Sequence, residues 1–411
     1  FSELQAAAAD GSVATITITA GFTWTAELSV ARPLAIVGDC AAGACELWSD
    51  NADANGNCGS STNSYIDATS PHRALDVDLT TSGGMLQLEG LHFRCFDAGE
   101  GWPNNNPGGA VQVTGGVATF TDVKFSKCGN YNRDGGAVNL EGTDGTFTGT
   151  GPGLCKFEGC KADVGGGVRV MGGSISVSNC DFDNNMVRRD GRQYYGAAIF
   201  FQSQFGDVVI TGSRFQDNTA GVTSSSVAKV WGAVVYVSSS NSIVVTESLF
   251  KQNVGGITGG GGALYAAASD GILVDACTFD GNAAGTNYNA IGPGAGVVLR
   301  IDRYAYHAIK RTTFKNHILY REGVVSLPNM KGVLHIEDCI FQNNGGASSA
   351  RQVDWENDYS STLTIQLNVS ETSFSGMPAS KYDIYMGKSS YYRDCGGNTF
   401  SHGGAVRKYD Y

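Results

Sequence analysis

Residues 165–185 read GGGVRVMGGSISVSNCDFDNN, and this stretch holds every part of a repeat that recurs along the chain. Three glycines precede Val168, the segment Ser174–Ser178 has an aliphatic residue at every second position, and Phe182 is followed by Asn185. Alternation of this kind is typical of a β-strand with one buried face. The stretch therefore predicts short strands that are joined by tight turns.

Two signatures of this repeat alternate along most of the sequence. The first is Phe-x-x-Asn or a variant, and its anchor phenylalanines are Phe93, Phe125, Phe157, Phe182, Phe215, Phe250, Phe279, Phe314, Phe341, Phe374 and Phe400. The second is Gly-Gly-Ala-aliphatic or a relative, found at Gly108–Val111, Gly135–Val138, Gly165–Val168, Gly196–Ile199, Gly232–Val235, Gly261–Leu264, Gly294–Val297 and Gly403–Val406. The anchors recur on average every ~31 residues, a period that indicates a repeat architecture.

Strands at a fixed period, without crossover helices, predict an all-β protein in which each repeat forms one coil of a parallel β-helix. We expect a single-stranded right-handed parallel β-helix of about 13 coils, because parallel crossover connections are right-handed. Stacking at the strand spacing of about 4.8 Å gives a length of roughly 60 Å. Equivalent residues then form ladders, with phenylalanines inside and asparagines at a corner, where the amide satisfies backbone groups of the turn.

The predicted domain organisation is a single β-helix domain over residues 1–411. Residues 1–13 form a short N-terminal capping helix with Ser2 as N-cap, and residues 14–92 form the first coils with a cysteine-rich loop. Residues 93–400 carry the regular repeats, and residues 401–411 restart the repeat and leave it unfinished. The start at Phe1, without a leader-like segment, leads us to expect a mature, secreted chain or a piece of a longer one.

Repeat positions account for six of the 11 cysteines. Four lie two residues before an anchor phenylalanine: Cys155, Cys180, Cys277 and Cys339. Two lie three residues after an anchor: Cys128 and Cys160. The pairs Cys155/Cys180 and Cys128/Cys160 fall in adjacent coils, so each pair is a disulfide candidate. Cys277 and Cys339 are expected to be free core thiols.

A Cys40–Cys45 bridge is also expected, within the N-terminal loop. Metal binding by Cys40, Cys45 and Cys58 is the alternative, although no Cys-x-x-Cys and no paired histidine accompanies them.

The alternation of Gly-Gly-Ala-aliphatic with Phe-x-x-Asn resembles the repeats of polymorphic outer-membrane proteins and related surface β-helix proteins. The opening, Leu4–Ala7 through Gly11 to Ile36–Asp39, resembles the start of many pectate-lyase-like β-helices. The two resemblances together cover nearly all of the chain. They imply the fold, but this fold hosts adhesins, structural proteins and polysaccharide enzymes alike.

Composition excludes several classes of protein. Glycine supplies 57 of 411 residues with only 8 prolines, so the chain is not collagen, and the glycine content disfavours a helical protein. A net charge of −11 argues against a nucleic-acid partner. No apolar run approaches the 18 or more residues of a membrane span. We therefore expect an extracellular or cell-surface protein.

The loops between Phe-x-x-Asn and the next glycine signature are predicted to line one edge of the solenoid. Their basic and aromatic residues are glycan-binding candidates, together with His317 in the same loops: Arg188, Arg189, Arg192, Tyr194, Tyr195, Trp231, Tyr320, Arg321 and Trp355. Such side chains hold sugars by stacking and charge-assisted hydrogen bonds. A solvated loop edge, with long side chains covering the corner, is the alternative.

The segment Arg300–Arg311 is the densest ionisable stretch of a charge-poor chain. It contains the catalytic candidates Arg303, His307 and Lys310, which supply a base and a charge stabiliser for β-elimination from a uronic acid. The alternative is an elongated turn with internally paired charges. No paired-aspartate set with Gly-His-Gly, as in polygalacturonase-like enzymes, is present in the sequence.

Two further features complete the candidate sites. Asp181 and Asp183 flank an anchor phenylalanine; they are either surface acids or calcium ligands, and no other cofactor is predicted. Asn368-Val369-Ser370 is a glycosylation sequon.

We expect a non-enzymatic, extracellular structural or adhesive protein that presents a rigid repeat surface and self-associates into a fibre or layer. The alternatives are a lyase, epimerase or hydrolase that acts on acidic polysaccharides, and a glycan-binding module without turnover.

Overall fold

The computed structural model describes residues 1–40, 45–49, 73–96, 109–129, 134–187, 195–220, 233–255, 262–283, 297–301, 305–319, 323–327, 332–346, 351–355, 365–376, 383–386, 390–400 and 406–408. The chain divides into two compact units, Phe1–Arg189 with Ala197–Phe205 and Asp190–Gly196 with Gly206–Tyr411. Each unit is a parallel β-helix, which confirms the predicted fold class. The single domain of about 13 coils stays a prediction.

The first unit begins with the helix Ser2–Ala9, which confirms the predicted capping helix. The N-cap role predicted for Ser2 is wrong, because Phe1 is the N-cap and no side chain caps the helix. The Phe1 carbonyl accepts the first intrahelical hydrogen bond, from the Gln5 N–H at 3.0 Å, so Ser2 already lies inside the helix.

Three parallel sheets, A, B and C, surround the core of the first unit, and the chain visits them in that order in each coil. Sheet A contains Leu28–Val30, Leu75–Asp78, Val111–Thr114, Val138–Glu141, Val168–Met171 and Ile199–Gln202. Sheet B contains Thr15–Ile18, Leu34–Gly38, Met85–Glu89, Val117–Thr121, Asp144–Thr148 and Ile175–Ser178. Sheet C contains Phe22–Trp24, Cys45–Ser49, Leu91–Arg94, Lys124–Ser126, Cys155–Glu158 and Cys180–Asp183. Lys161–Ala162 and Met186–Val187 form an additional short pair.

The second unit has the same three sheets. Sheet A contains the first halves of Val235–Thr246 and Leu264–Asp275, followed by Val297–Ile301, Gly323–Ser326, Arg351–Trp355, Ile384–Met386 and Val406–Lys408. Sheet B contains Val208–Thr211, the second halves of the same two long strands, Ala305–Lys310, Gly332–Glu337, Ile365–Ser370 and Ser390–Asp394. Sheet C contains Arg214–Gln216, Leu249–Lys251, Thr278–Asp280, Thr313–Lys315, Ile340–Gln342, Ser373–Ser375 and Thr399–Phe400. Short strands lie at Thr219–Ala220, Ile318–Leu319 and Gly345–Gly346.

The anchor phenylalanines stack in the core of each unit, as the ladder prediction requires. In the first unit the rings of Phe93, Phe125, Phe157 and Phe182 lie 5.2, 5.0 and 4.6 Å apart. In the second unit the stack runs from Phe215 to Phe400 with centroid distances between 4.7 and 5.0 Å. Stacked rings at the strand spacing fill the interior densely, so each coil fixes the position of the next.

The position three residues after an anchor forms a buried polar ladder in most of the described coils. In the second unit it is occupied by Asn218, Asn253, Asn282, His317 and Asn344. The side-chain amide of Asn282 donates to the carbonyl oxygen of Phe250 at 2.9 Å, in the preceding coil, and that of Asn344 donates to the carbonyl oxygen of Phe314 at 3.0 Å. Each amide therefore satisfies backbone groups that the turn leaves exposed.

Directly before the ladder position of the same coil, the chain adopts a left-handed backbone conformation. The residue two after each of the first ten anchors has φ between 52° and 76°, at Cys95, Lys127, Gly159, Asn184, Asp217, Gln252, Gly281, Asn316, Asn343 and Gly376. A second left-handed column follows the strands of sheet B, at Asp122, Asn179, Glu247, Ala276, Arg311, Asp338 and Glu371. Side chains at these corners point outward, and in the second unit some of them form part of the outer surface described below.

Two disulfides join described cysteines, Cys40–Cys45 and Cys155–Cys180. The predicted free core thiols Cys277 and Cys339 are buried and unbridged.

The Cys128/Cys160 candidate is corrected, because both thiols are free and buried in the structure. They occupy the ladder position, where the side chain points to the backbone of the preceding coil. The Cys128 thiol donates to the carbonyl oxygen of Phe93 at 3.6 Å, and the Cys160 thiol donates to that of Phe125 at 3.7 Å. The two thiols therefore replace asparagine amides.

Candidate functional site

A groove of about 710 Å³ lies on the outer face of sheet B in the second unit. Its lining comes from the two long strands Val235–Thr246 and Leu264–Asp275, from Ala305–Lys310, and from the corners that follow the next strands. Concave surfaces with apolar walls and a few polar groups are the usual form of ligand sites.

The floor of the groove is made by outward-facing residues in register on three neighbouring strands. Val244, Leu273 and Ala308 are paired across the strands. The small Ala308 side chain leaves a depression beside Leu273. In the adjacent column Gly271 precedes Tyr306, and a Cβ at Gly271 would lie 3.2 Å from the Tyr306 carbonyl oxygen. The absence of a side chain there keeps the floor open.

An exposed aromatic ring forms one wall of the groove. Tyr306 is 58% exposed, and its ring stacks on the His335 imidazole with centroids 4.6 Å apart. The His335 Nε2 is hydrogen-bonded to the Asn368 side-chain amide at 3.1 Å, and Asn368 accepts a 2.7 Å hydrogen bond from Gln366. Tyr306 is therefore held in place from below while its other face is open to solvent.

The rim of the groove carries two ion pairs. Arg311 makes two hydrogen bonds to the Asp275 carboxylate, one of them at 2.9 Å, and the Lys310 Nζ lies 2.9 Å from the Glu337 carboxylate. The hydrogen bond from Arg311 lowers the pKa of Asp275. The hydrogen bond to Glu337 raises the pKa of Lys310, so this amine is held charged and is a poor base.

Two further carboxylates on the rim have no ion-pair partner within the part of the chain that the structure describes. They are Asp338 and Glu371, which follow Arg311 in the left-handed column with φ of 46°, 51° and 50° along the three positions. Their backbone N–H groups bond to the next coil, from Asp338 to the carbonyl oxygen of Ser370 at 3.1 Å and from Glu371 to that of Gly396 at 2.9 Å. Both carboxylates are exposed, and their backbones are fixed.

The catalytic candidates do not converge at this groove. Lys310 lines it, but His307 points into the core, is fully buried, and accepts a 3.2 Å hydrogen bond from the Ile272 N–H. Burial lowers the pKa of His307 to about 4, so it is neutral at pH 7. Arg303 lies outside the described residues. The alternative of an elongated turn with internally paired charges is wrong for residues 305–311, because Ala305–Lys310 is a strand and Lys310 and Arg311 pair with Glu337 and Asp275 of neighbouring coils.

Most of the predicted glycan-binding edge falls outside the described residues: Arg188, Arg189, Arg192, Tyr194, Trp231, Tyr320 and Arg321. Only the backbone of Trp355 is described. The Tyr195 ring contacts the Tyr236 ring in a tilted arrangement, and Tyr236 stacks on Tyr265, with both centroid distances 4.5 Å. Desolvation raises the pKa of Tyr195.

His317 is not part of an outer edge. It is 1% exposed and takes the asparagine position of the ladder, where its Nδ1 accepts a 3.0 Å hydrogen bond from the Asn282 N–H. The residues next to His317 do not indicate that it is buried. Its ladder position is recognised only by counting three residues from the anchor Phe314.

Asp183 lies 3.9 Å from the Lys156 Nζ, as a paired surface acid. Among the described residues there is no group of three or more His, Cys, Asp or Glu side chains placed to hold a metal ion.

The sequon asparagine Asn368 is 7% exposed and lies within the strand Ile365–Ser370. Its amide is engaged by His335 and Gln366. The folded protein therefore does not present this amide to solvent, which argues against the expected glycosylation site.

Tyr306, Asp338 and Glu371 are not among the site residues predicted from the sequence. A usable signal existed for the tyrosine: Ile309 belongs in the core, so the period of two along a strand places His307 inside and Tyr306 outside. Asp338 and Glu371 directly follow strands of sheet B. That they lie next to each other follows only from the register between coils, which the sequence does not show.

Comparison with known proteins supports the fold. Residues 104–290 match the family model described as a right handed beta helix region. This match supports the predicted right-handed coil. No curated protein and no solved structure matches the chain. Among the described residues no helix is long and apolar enough to cross a membrane.

Proposed function

We propose that this right-handed β-helix protein is a secreted, non-catalytic adhesive scaffold of a cell surface or wall, which holds a carbohydrate chain in the groove on sheet B. The observation that carries the proposal is the exposed Tyr306 ring beside an apolar floor, on a backbone fixed by ladders. Self-association into a fibre or layer remains a prediction of the repeat.

The groove has the chemistry that sugars require. A pyranose ring has an apolar face of C–H groups that stacks on an aromatic ring, and its hydroxyls need hydrogen-bond partners. Tyr306 supplies the aromatic ring, Leu273 and Ala308 supply the apolar floor, and the ion pairs on the rim supply donors and acceptors. Tyr306, Leu273 and Ala308 lie on strands rather than on loops, so binding costs little ordering entropy.

A rigid scaffold is supported by the cross-links between coils. The Cys155–Cys180 disulfide covalently joins neighbouring coils of the first unit, and the phenylalanine and asparagine ladders join coils in both units. Disulfides persist in oxidising compartments, which supports secretion.

The absence of turnover is supported by the state of the candidate groups. A lyase needs a base close to pH 7 in reach of the sugar. His307 faces the core, and Lys310 is kept protonated by Glu337. An enzyme that acts on acidic polysaccharides is the second candidate, and it rests on Arg303 and the edge residues alone.

The test is binding of the purified chain to immobilised wall polysaccharides and defined oligosaccharides, with product analysis of the same mixtures. Tyr306→Ala is the test variant. Tyr391→Ala is the matched control, because Tyr391 is 60% exposed in the same outward column of sheet B and does not line the groove. We expect binding without product, lost in Tyr306→Ala and kept in Tyr391→Ala. Release of sugar products, or equal binding by both variants, would contradict the proposal.

A further inference from the structure

We infer that the sheet B groove selects a cationic amino-sugar chain, such as a glucosamine polymer, over neutral and acidic glycans. The inference rests on the proposed function, since it names the ligand class of the same groove. Its basis is the balance of charge on the rim.

The carboxylates on the groove outnumber its cations. Four acids line it, Asp275, Glu337, Asp338 and Glu371, together with two cations, Lys310 and Arg311, which gives a net charge of −2. The groove therefore attracts a polycation and repels a polyanion.

Both cations are already engaged. Arg311 spans the two oxygens of the Asp275 carboxylate, and Lys310 is paired with Glu337 at 2.9 Å. A uronate chain would have to displace these carboxylates while facing Asp338 and Glu371. None of the lining residues offers an unpaired cation to hold it.

The surplus acids are arranged to follow a linear chain. Asp338 and Glu371 occupy the same left-handed corner position in successive coils, and the backbone N–H of Asp338 bonds to the strand that ends just before Glu371. Adjacent strands lie about 4.8 Å apart, close to the length of one pyranose unit. A chain that crosses the groove from Tyr306 to this corner would bring its ammonium groups close to both carboxylates.

The probes for the test are hexamers of glucosamine, N-acetylglucosamine and galacturonic acid. Binding is measured by titration calorimetry at pH 6, at low and at high salt. The test variant is Asp338→Asn with Glu371→Gln, which removes charge and keeps shape. Glu247→Gln is the matched control, because Glu247 is an exposed acid in the same corner column that does not line the groove. Tyr306→Ala reports on the groove itself.

We expect the glucosamine hexamer to bind most tightly and to weaken as salt rises, because exposed charge pairs are screened. The double variant should lose about three- to tenfold in affinity for it, the effect of two exposed ion pairs, with no change for the neutral hexamer. Glu247→Gln should bind like the wild type.

Equal binding of the glucosamine and neutral hexamers, lost in Tyr306→Ala, would overturn the inference and leave the proposed function standing. Preferred binding of galacturonate would also overturn it. Binding of none of the hexamers, nor of the immobilised polysaccharides, would overturn both.

Discussion

The side-chain oxygen of Asn253 accepts two hydrogen bonds from Asn218, one from the backbone N–H and one from the side-chain amide, both at 3.0 Å. The Asn253 amide in turn donates to the carbonyl oxygen of Phe215 at 2.9 Å. A single buried side chain thus satisfies three groups of the preceding coil, which makes the ladder a determinant of the stacking itself.

Replacing Asn253 with alanine should destabilise the protein by about 3 kcal/mol, because buried donors and acceptors of the neighbouring coil lose their partners. Asn253→His should cost less, since His317 fills the same position two coils further on, after Phe314. Urea unfolding followed by circular dichroism measures both. Equal losses for the two variants would show that hydrogen bonding in the ladder is not what stabilises this corner.

The buried imidazoles should make the protein acid-sensitive. Burial lowers the pKa of both His307 and His317 to about 4 in the folded protein, against an ordinary value of 6.5. Between these two values the unfolded chain binds protons that the folded chain does not, so stability falls as the pH falls from 6.5 to 4. Each imidazole should account for a loss that approaches about 3 kcal/mol.

His317→Asn restores the residue found elsewhere in the ladder and should flatten this dependence. Thermal unfolding at pH values from 7.5 to 4.5 measures the slope for the variant and the wild type. Superimposable curves would mean that His317 does not titrate with unfolding.

The disulfide between Cys155 and Cys180 closes a sequence separation of 25 residues. Its removal by Cys155→Ala with Cys180→Ala should cost about 3 kcal/mol, the value for a loop of this size. Cys277→Thr is the matched control, because Cys277 is unbridged and a threonine, Thr312, fills the same position in the next coil. A similar denaturation midpoint for the double variant and the control would show that the disulfide does not stabilise the folded protein.

Asn368 should remain unmodified when the chain is secreted by a glycosylating host. Its amide is 7% exposed and hydrogen-bonded within a central strand, so a glycan there would break the support under Tyr306. Intact mass spectrometry before and after enzymatic deglycosylation, with Asn368→Gln as reference, measures occupancy. A glycan on the folded, monodisperse protein would contradict the assigned packing.

Much of the fold could be predicted from the sequence, because the repeat is local. Phe182 and Asn185 lie three residues apart and recur with constant spacing, so counting along the chain identifies the core stack and the buried ladder. The same counting found the Cys155–Cys180 pair. The same counting wrongly predicted a disulfide between Cys128 and Cys160. The spacing does not show the direction of a side chain at the corner, and this direction decides whether a thiol forms a disulfide or a hydrogen bond to the backbone.

The groove could not be found in this way, because it depends on which coils lie next to each other and in what register. Tyr306, Asp338 and Glu371 are far apart in sequence and share no motif. They come together only because each outward column of sheet B, and each left-handed corner, is stacked coil upon coil. The density of charge in Arg300–Arg311 drew attention to the correct strand, but it pointed to His307, which belongs to the core.

The most direct measurement is a crystal structure of the protein soaked with the oligosaccharide that binds it most tightly. We expect a sugar ring stacked on the free face of Tyr306 above Ala308, with the chain running towards Asp338 and Glu371. Sugar density on another face of the β-helix, with the Tyr306 groove unchanged, would contradict it.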